Sequence, residues 1–194
     1  SKYEGDWQSI LHSHPFSELF YVVSGSGSFV SEGKEFPVGR NDLVIINPHV
    51  EHTEKSRDVS PLEYIVLGIE GLTFSFENIA SIQDGVFLKT ASGAIYKYNV
   101  HNSNVYAYLN IMLEEANQKK DNYETVCQNL LEVLLVCLLR NDNLAVVQSD
   151  RTVLNRECTQ IKNYLDSNYS ENITLDTLAD ITHMNKYYMA HAFA

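Results

Sequence analysis

The sequence predicts an α+β chain: an amino-terminal antiparallel β-barrel, then a pair of helices, then a short helical unit. Three observations carry this. Up to about Tyr98, short runs of β-branched and aromatic residues alternate with turns built on Gly, Pro and Asn. From Val105 the hydrophobic period changes from two to about 3.6. After residue 153 come short helical segments, the last two joined by a break of turn length. The expected organisation is a barrel over 1–98, a helical pair over 99–141, a linker over 142–153 and a helical subdomain over 154–194.

The barrel is read from His12-Ser-His14-Pro-Phe16-Ser-Glu18-Leu-Phe20-Tyr-Val22, which places His12, His14, Glu18, Phe20 and Val22 at even positions. In extended chain those side chains share one face, so two imidazoles, a carboxylate and an aromatic ring point together. Phe29-Val30 and Glu35-Phe36 flank a Glu32-Gly33 turn, and Pro37 to Asp42 reads as a second turn. Leu43-Val-Ile-Ile46 is a strand stopped by Asn47-Pro48, with His49 and His52 just beyond it. Residues 62–76 read as a buried strand, a turn and an edge strand; Val86-Phe-Leu88 and Ile95-Tyr-Lys-Tyr98 are short apolar runs that complete the barrel.

These residues resemble the cupin barrel. Its first motif is matched by His12, His14, Glu18 and Gly25, and the Pro-x-Gly of its second by Pro37 and Gly39. The resemblance implies that a metal-binding member carries its fourth ligand, a histidine, three residues after that glycine, where this chain has Asp42. His12, His14 and Glu18 are then the remaining metal candidates, suited to iron, manganese or zinc. The expectation is instead a metal-free pocket, without cofactor, in which His12, His14, Phe16, Glu18, Phe20 and His52 contact a small polar molecule. Histidines merely hydrogen-bonded within the wall remain the alternative.

Composition sets limits. A chain of 194 residues with 44% hydrophobic content is long enough for one or two cores. It holds no apolar run of the roughly 20 residues needed to cross a bilayer and opens on no signal-peptide pattern. Cys127, Cys137 and Cys158 are odd in number and lack Cys-x-x-Cys spacing, which fits reduced thiols in the cytoplasm. The formal charge is −11, and no segment is basic: 1–98 has 7 basic and 13 acidic residues, 99–153 has 4 and 7, and 154–194 has 3 and 5. Charge alone therefore argues against phosphate contact.

Val105, Leu109, Met112, Leu113 and Ala116 form one helical stripe, broken at Lys119-Lys-Asp-Asn122. A second helix runs from about Tyr123 to Leu139, and Leu130 to Leu139 is apolar nearly all round. Such a helix needs cover on more than one side, and a second copy of the chain is the expected partner, giving a homodimer. Leu144-Ala-Val-Val147 is an apolar interruption within the linker, expected to dock on the helices. Ile161, Tyr164, Leu165 and Tyr169 make the next stripe.

Thr174 is placed as the N-cap of a helix whose buried row is Leu175, Leu178 and Ile181, with Ala179 small enough for a tight crossing. Thr182-His-Met184 is a turn, and Asn185 caps a last helix with Tyr188, Met189, Ala192 and Phe193 facing inward. Two short helices across a tight turn make a helix-turn-helix. Residues 157–194, through Ile173-Thr-Leu175, Leu178-Ala179, Met184-Asn185, Tyr188 and Phe193, resemble the first helix-turn-helix of AraC-type bacterial transcription regulators. The resemblance implies a cupin-like sensor, dimerising helices, and DNA contact through Asn185, Lys186, Tyr187, Ala190 and His191, although the family usually has a basic residue near the position of His191. It also implies a second helix-turn-helix beyond Ala194, so this chain is expected not to bind operator DNA at nanomolar affinity.

Two functions follow as expectations. One is a ligand-responsive, DNA-binding transcription regulator with a small polar effector, a sugar among the candidates, acting in a cytoplasmic dimer without membrane contact. The other is a metal-dependent cupin oxygenase or isomerase. Asp42 and residues 157–194 favour the regulator and a non-enzymatic role.

Overall fold

One strand, buried on both faces, orders the amino-terminal half. The structure, a computed structural model, describes residues 7–8, 10–76, 85–100, 104–141, 144–148, 161–169 and 171–182. The strands are β1 (Trp7–Gln8), β2 (Ser17–Ser24), β3 (Ser26–Ser31), β4 (Lys34–Gly39), β5 (Asp42–Ile46), β6 (Thr53–Ser56), β7 (Glu63–Ile69), β8 (Leu72–Phe76), β9 (Val86–Lys89), β10 (Ala94–Asn99) and β11 (Leu144–Gln148). The helices are α1 (Val105–Gln118), α2 (Tyr123–Asn141), α3 (helical over 161–168) and α4 (Leu175–Thr182).

Two antiparallel sheets face each other, one ordered β1-β6-β3-β4 and the other β7-β2-β5-β10-β9, while β8 and β11 form a separate pair. Packed face to face around one core, the two sheets make the flattened cupin-like barrel that the sequence predicts, a sandwich in cross-section. Alternation along β2 explains its uninterrupted burial. Phe20 and Val22 point between the sheets and meet Phe29, Phe36, Val38, Val44, Ile46 and Ile95. Leu19 and Tyr21 point the other way, with Leu43, Ile45 and Tyr96, onto Leu109, Met112, Leu134 and Leu138 of the helical pair. Each such fully buried side chain stabilises the fold by roughly 1.5–3 kcal/mol.

The motif glycine Gly25 has a physical reason. Its φ is +84°, and a Cβ there would lie 1.9 Å from the Pro61 carbonyl oxygen. The turn expected over Pro37 to Asp42 is tighter than that span, because β4 runs through Pro37 to Gly39 and the reversal falls on Arg40-Asn41, with Asn41 at φ +65°. Pro37 is tolerated because β4 is an edge strand. β7, expected to be buried, is the edge of the five-stranded sheet, and its Val66 is 45% exposed.

α1 buries Val105, Leu109 and Met112, but Leu113 and Ala116 are exposed, so the apolar stripe is narrower than its spacing predicts. It ends at Lys119 in the left-handed conformation, whose N–H donates to the Glu115 carbonyl at 2.8 Å. α2 buries Leu134 and Leu138 and leaves Val133, Val136 and Leu139 exposed. Leu144–Gln148 is a strand that pairs with β8, and Leu144 joins the core beneath α2.

In the carboxy-terminal part, Ile161 packs against Leu178 and Ala179. Thr174 is the N-cap: its Oγ1 accepts from the Thr177 N–H at 3.2 Å. Of the predicted buried row only Leu178 faces Ile161, since Leu175 and Ile181 are exposed. The expected last helix, with Asn185, Lys186, Tyr187, Ala190 and His191, lies outside the described residues. Among the described residues no helix is long and apolar enough to cross a membrane.

Candidate functional site

The described part of the site occupies one end of the sandwich and is assembled from three segments. The extended chain at His12 runs antiparallel to His52, each residue's N–H donating to the other's carbonyl at 3.0 and 2.9 Å. Glu18 stands at the start of β2, opposite Ile46 of β5 and Gly68 of β7. His14 lies between, its carbonyl accepting from the His49 N–H at 2.8 Å. These pairings bring His12, His14 and His52 together, with ligating atoms all within 4.8 Å of one another.

The ring nitrogens are oriented by the backbone. The Nδ1 of His12 lies 2.8 Å from the Ile10 carbonyl, that of His14 2.8 Å from the Phe16 carbonyl, and that of His52 2.9 Å from the Val50 carbonyl. A carbonyl oxygen only accepts, so each Nδ1 carries the proton. In the neutral ring Nε2 is then a bare lone pair. The Nε2 atoms of His14 and His52 are buried without a hydrogen-bond partner.

Glu18 faces both rings, with Oε2 3.1 Å from His14 Nε2 and Oε1 3.8 Å from His52 Nε2. Burial pushes its carboxyl upward, but the contact with His14 and the fields of His52, His14 and His12 outweigh that and hold it below the usual range. His52 is pushed down to about 4, first by burial, with Glu18 opposing. The imidazole of His52 is therefore neutral at pH 7, and burial likewise lowers His49.

The aromatic residues divide. Phe16 stacks on His14 with centroids 4.1 Å apart and planes 3° from parallel. Its ring lies where a Cβ on Gly68 would be, 2.8 Å from that position, so glycine there makes room for the stack. Phe20 lies deeper, stacked on Tyr64 at 4.3 Å and edge-on to Phe29 at 4.8 Å, within the apolar core. Tyr64, half-buried, also donates to the buried Glu54 at 3.3 Å, a pair that sequence reading did not single out.

Asp42 is remote from this cluster. It starts β5, and Ile46, the residue opposite Glu18, is four residues further on, roughly 13 Å along a strand. His52, and not the residue at position 42, stands beside Glu18. His49 has φ +63°, the left-handed conformation that a Pro-x-Gly glycine supplies, and His52 follows three residues later. In that register Asn47 and His49 stand where the motif has its proline and its glycine, so the sequence does not show the match.

A profile of the AraC-like ligand binding domain matches residues 3–135. The uncharacterized HTH-type transcriptional regulator YbfI of Bacillus subtilis (strain 168) is 21% identical over 184 residues, 94% of this chain, which spans 64% of that protein's length. Apo ToxT from Vibrio cholerae shares the fold with a TM-score of 0.53 at 10% identity, over 99% of this chain and 72% of that one. Oxalate decarboxylase of Bacillus subtilis matches 34% of this chain and 19% of its own, with 24% identity and a TM-score of 0.30. A two-sheet sandwich with helices on its outer face, matched over residues 3–135, decides the assignment: the chain belongs to the AraC-like ligand-binding domain family.

Proposed function

We propose that the chain is the sensing part of a ligand-responsive transcription regulator. The observation that carries it is the buried end of the sandwich, where three imidazoles and Glu18 converge within a ligand-binding family domain. His12, His14, Phe16, Glu18, Phe20 and His52 are the proposed contacts for a small polar effector, a sugar being one class such donors and acceptors suit. Residues 1–98 are the sensor, 99–141 the pairing helices, 142–153 a connection that includes β11, and 154–194 the start of the DNA reader. The exposed Val133, Val136 and Leu139 of α2 support pairing of two copies. Sedimentation at micromolar concentration returning only monomer would remove that part. DNA is the proposed partner of the complete regulator, acting in the cytoplasm.

An enzymatic reading, a metal-dependent oxygenase or isomerase, is favoured by one observation, the imidazole cluster. Against it stand α3 and α4, which catalysis would not use.

The test is a thermal-shift screen with sugars and related metabolites, followed by operator binding by the complete regulator with and without the hit. A ligand at 100 times its dissociation constant should stabilise the fold by about 2.7 kcal/mol. Glu18→Gln should abolish that gain. A hit that binds through Glu18 yet leaves operator occupancy unchanged overturns the regulatory reading.

A further inference from the structure

We propose that the effector is a small organic cation, an ammonium or guanidinium group on an apolar body, and that Glu54 selects its charge. The inference rests on the sensor reading for the place of binding and adds the chemical class of the ligand.

Glu54 is a buried carboxylate outside the motif that points to the site. It lies on β6 two residues after His52 and directly opposite Phe29 of β3. Residues paired across antiparallel strands share a face. Phe29 belongs to the core between the sheets, so Glu54 points inward as well. Glu18, on β2 of the facing sheet, shares the inward face of Phe20 and Val22. Two carboxylates therefore enter one interior from opposite walls.

The surroundings of Glu54 are aromatic. Tyr64 pairs with the inward-facing Val22, donates its O–H to Glu54 at 3.3 Å, and stacks on Phe20 with centroids 4.3 Å apart. Phe20 in turn meets Phe29 edge-on at 4.8 Å. A carboxylate bordered by rings favours an organic cation: the charge pairs with the carboxylate, the ring quadrupoles add attraction, and the apolar body packs on the same rings.

An anion finds no counterpart here. Among the described residues every Lys and Arg side chain is exposed except Lys55 and Lys97, which are turned to Glu35 and Asp42. The Nε2 atoms of His14 and His52 are acceptors, because their Nδ1 protons go to backbone carbonyls. An anionic effector would set like charge against Glu18 and Glu54, whereas a cation brings N–H donors to a wall of acceptors.

The way in lies along β7. Val66 pairs with Phe20 and shares its inward face, yet it is 45% exposed. The space between the sheets is thus open at this edge, between Gly68, which is opposite Glu18, and Tyr64, which is bonded to Glu54. An apolar body can lie across Val66 with its charged end at Glu54.

The test is calorimetric titration of the 194-residue chain with two matched sets at up to millimolar concentration: phenethylamine, phenethyl alcohol and phenylacetate, then hexylamine, hexanol and hexanoate. In at least one set the amine should bind more than about tenfold more tightly than its alcohol, and the carboxylate should not bind. Glu54→Gln keeps an acceptor for Tyr64 and removes the charge. It should weaken the amine by more than about tenfold and leave the alcohol within about twofold, with the circular dichroism spectrum unchanged. Glu35→Gln, on the exposed side of β4, should leave both within about twofold. If Glu54→Gln fails to fold, carboxyl NMR of the unsubstituted chain decides: the amine must shift the Glu54 resonance. No binding by either amine, an alcohol or carboxylate bound as tightly, an indifferent Glu54→Gln, or an unshifted Glu54 overturns the proposal. A sugar that binds through Glu18 and controls operator occupancy would refute the cation alone. An amine that binds through Glu54 without changing operator occupancy by the complete regulator would refute the regulator alone.

Discussion

The interior of the sandwich has a buried polar cluster toward each end of β5, and the two are built on opposite principles. Around Asp42 the charges are matched and the acceptors filled: Oδ1 accepts from Asn99 at 2.9 Å, Oδ2 accepts from the Gly39 N–H at 2.9 Å and lies 3.3 Å from Lys97 Nζ. Around Glu18 the imidazoles have their outer nitrogens satisfied by backbone and their inner ones left over. Both clusters lie on the inward face of the same strands, separated by Val44, Ile46, Phe20 and Ile95. Burial alone does not distinguish structure from function here. The distinction is whether hydrogen-bonding capacity is used up within the chain, as at Asp42, or held open for something else, as at Glu18.

The largest effect that could break this comparison is at the filled end. Asp42→Ala should destabilise the chain by about 3–5 kcal/mol, because Lys97 and Asn99 lose their partner inside the fold. His14→Ala at the open end removes a ring whose inner nitrogen has no hydrogen bond, so it should cost less. Urea unfolding of both variants reads the difference. Comparable losses would mean that the imidazole cluster is structural as well.

The same contrast explains what was legible in the sequence. The even-numbered pattern from His12 to Val22 gave the inward face, because alternation along a strand is local geometry and Glu18 and Phe20 do share that face. The change of period at Val105 gave the helices for the same reason. The loop that brings His52 to Glu18 was less legible, because motif spacing points to position 42, whereas that loop is marked by the left-handed backbone of His49. The pairing of β11 with β8 was not legible either. A five-residue apolar run after a helix has no internal sign of which strand, 68 or more residues earlier, will bond to it. Gly68 carried no signal at all, since its role is defined by a ring from another strand's approach.

A second, smaller effect sharpens the comparison through pH. Burial holds the folded His52 at about 4 against an ordinary 6.5. As pH falls through 6.5 the unfolded chain therefore takes up a proton that the folded chain refuses until about 4. Stability from this group is complete above pH 6.5 and falls by about 3 kcal/mol as pH drops to 4. The groups facing it are Glu18, which opposes the shift, and His12 and His14, which add to it. Glu18, held below its ordinary 4.5, loses its own contribution only at lower pH, so the two windows are separable. In chelator, unfolding free energies from pH 7 to 4 should show this loss, and His52→Gln should flatten it. A slope that survives the substitution would place the acid sensitivity elsewhere.

The smallest effect tests whether the open end is held in shape. A methyl on Gly68 would meet the Phe16 ring at 2.8 and 2.9 Å, so Gly68→Ala must displace that ring or the strand beneath it. Overpacking of this kind costs about 1–3 kcal/mol. The ring that moves is the one stacked on His14, 3° from parallel, and Phe16 also supplies the carbonyl that receives the His14 Nδ1 proton. The damage should therefore reach ligand affinity as well as stability, and by one route. Phe16→Leu, which narrows the side chain, should relieve the clash in the Gly68→Ala background. A double-mutant cycle should then show a coupling of about 1 kcal/mol. Additive effects would mean that Gly68 serves β7 alone and that the orientation of His14 is set by its backbone hydrogen bond without help from the stack.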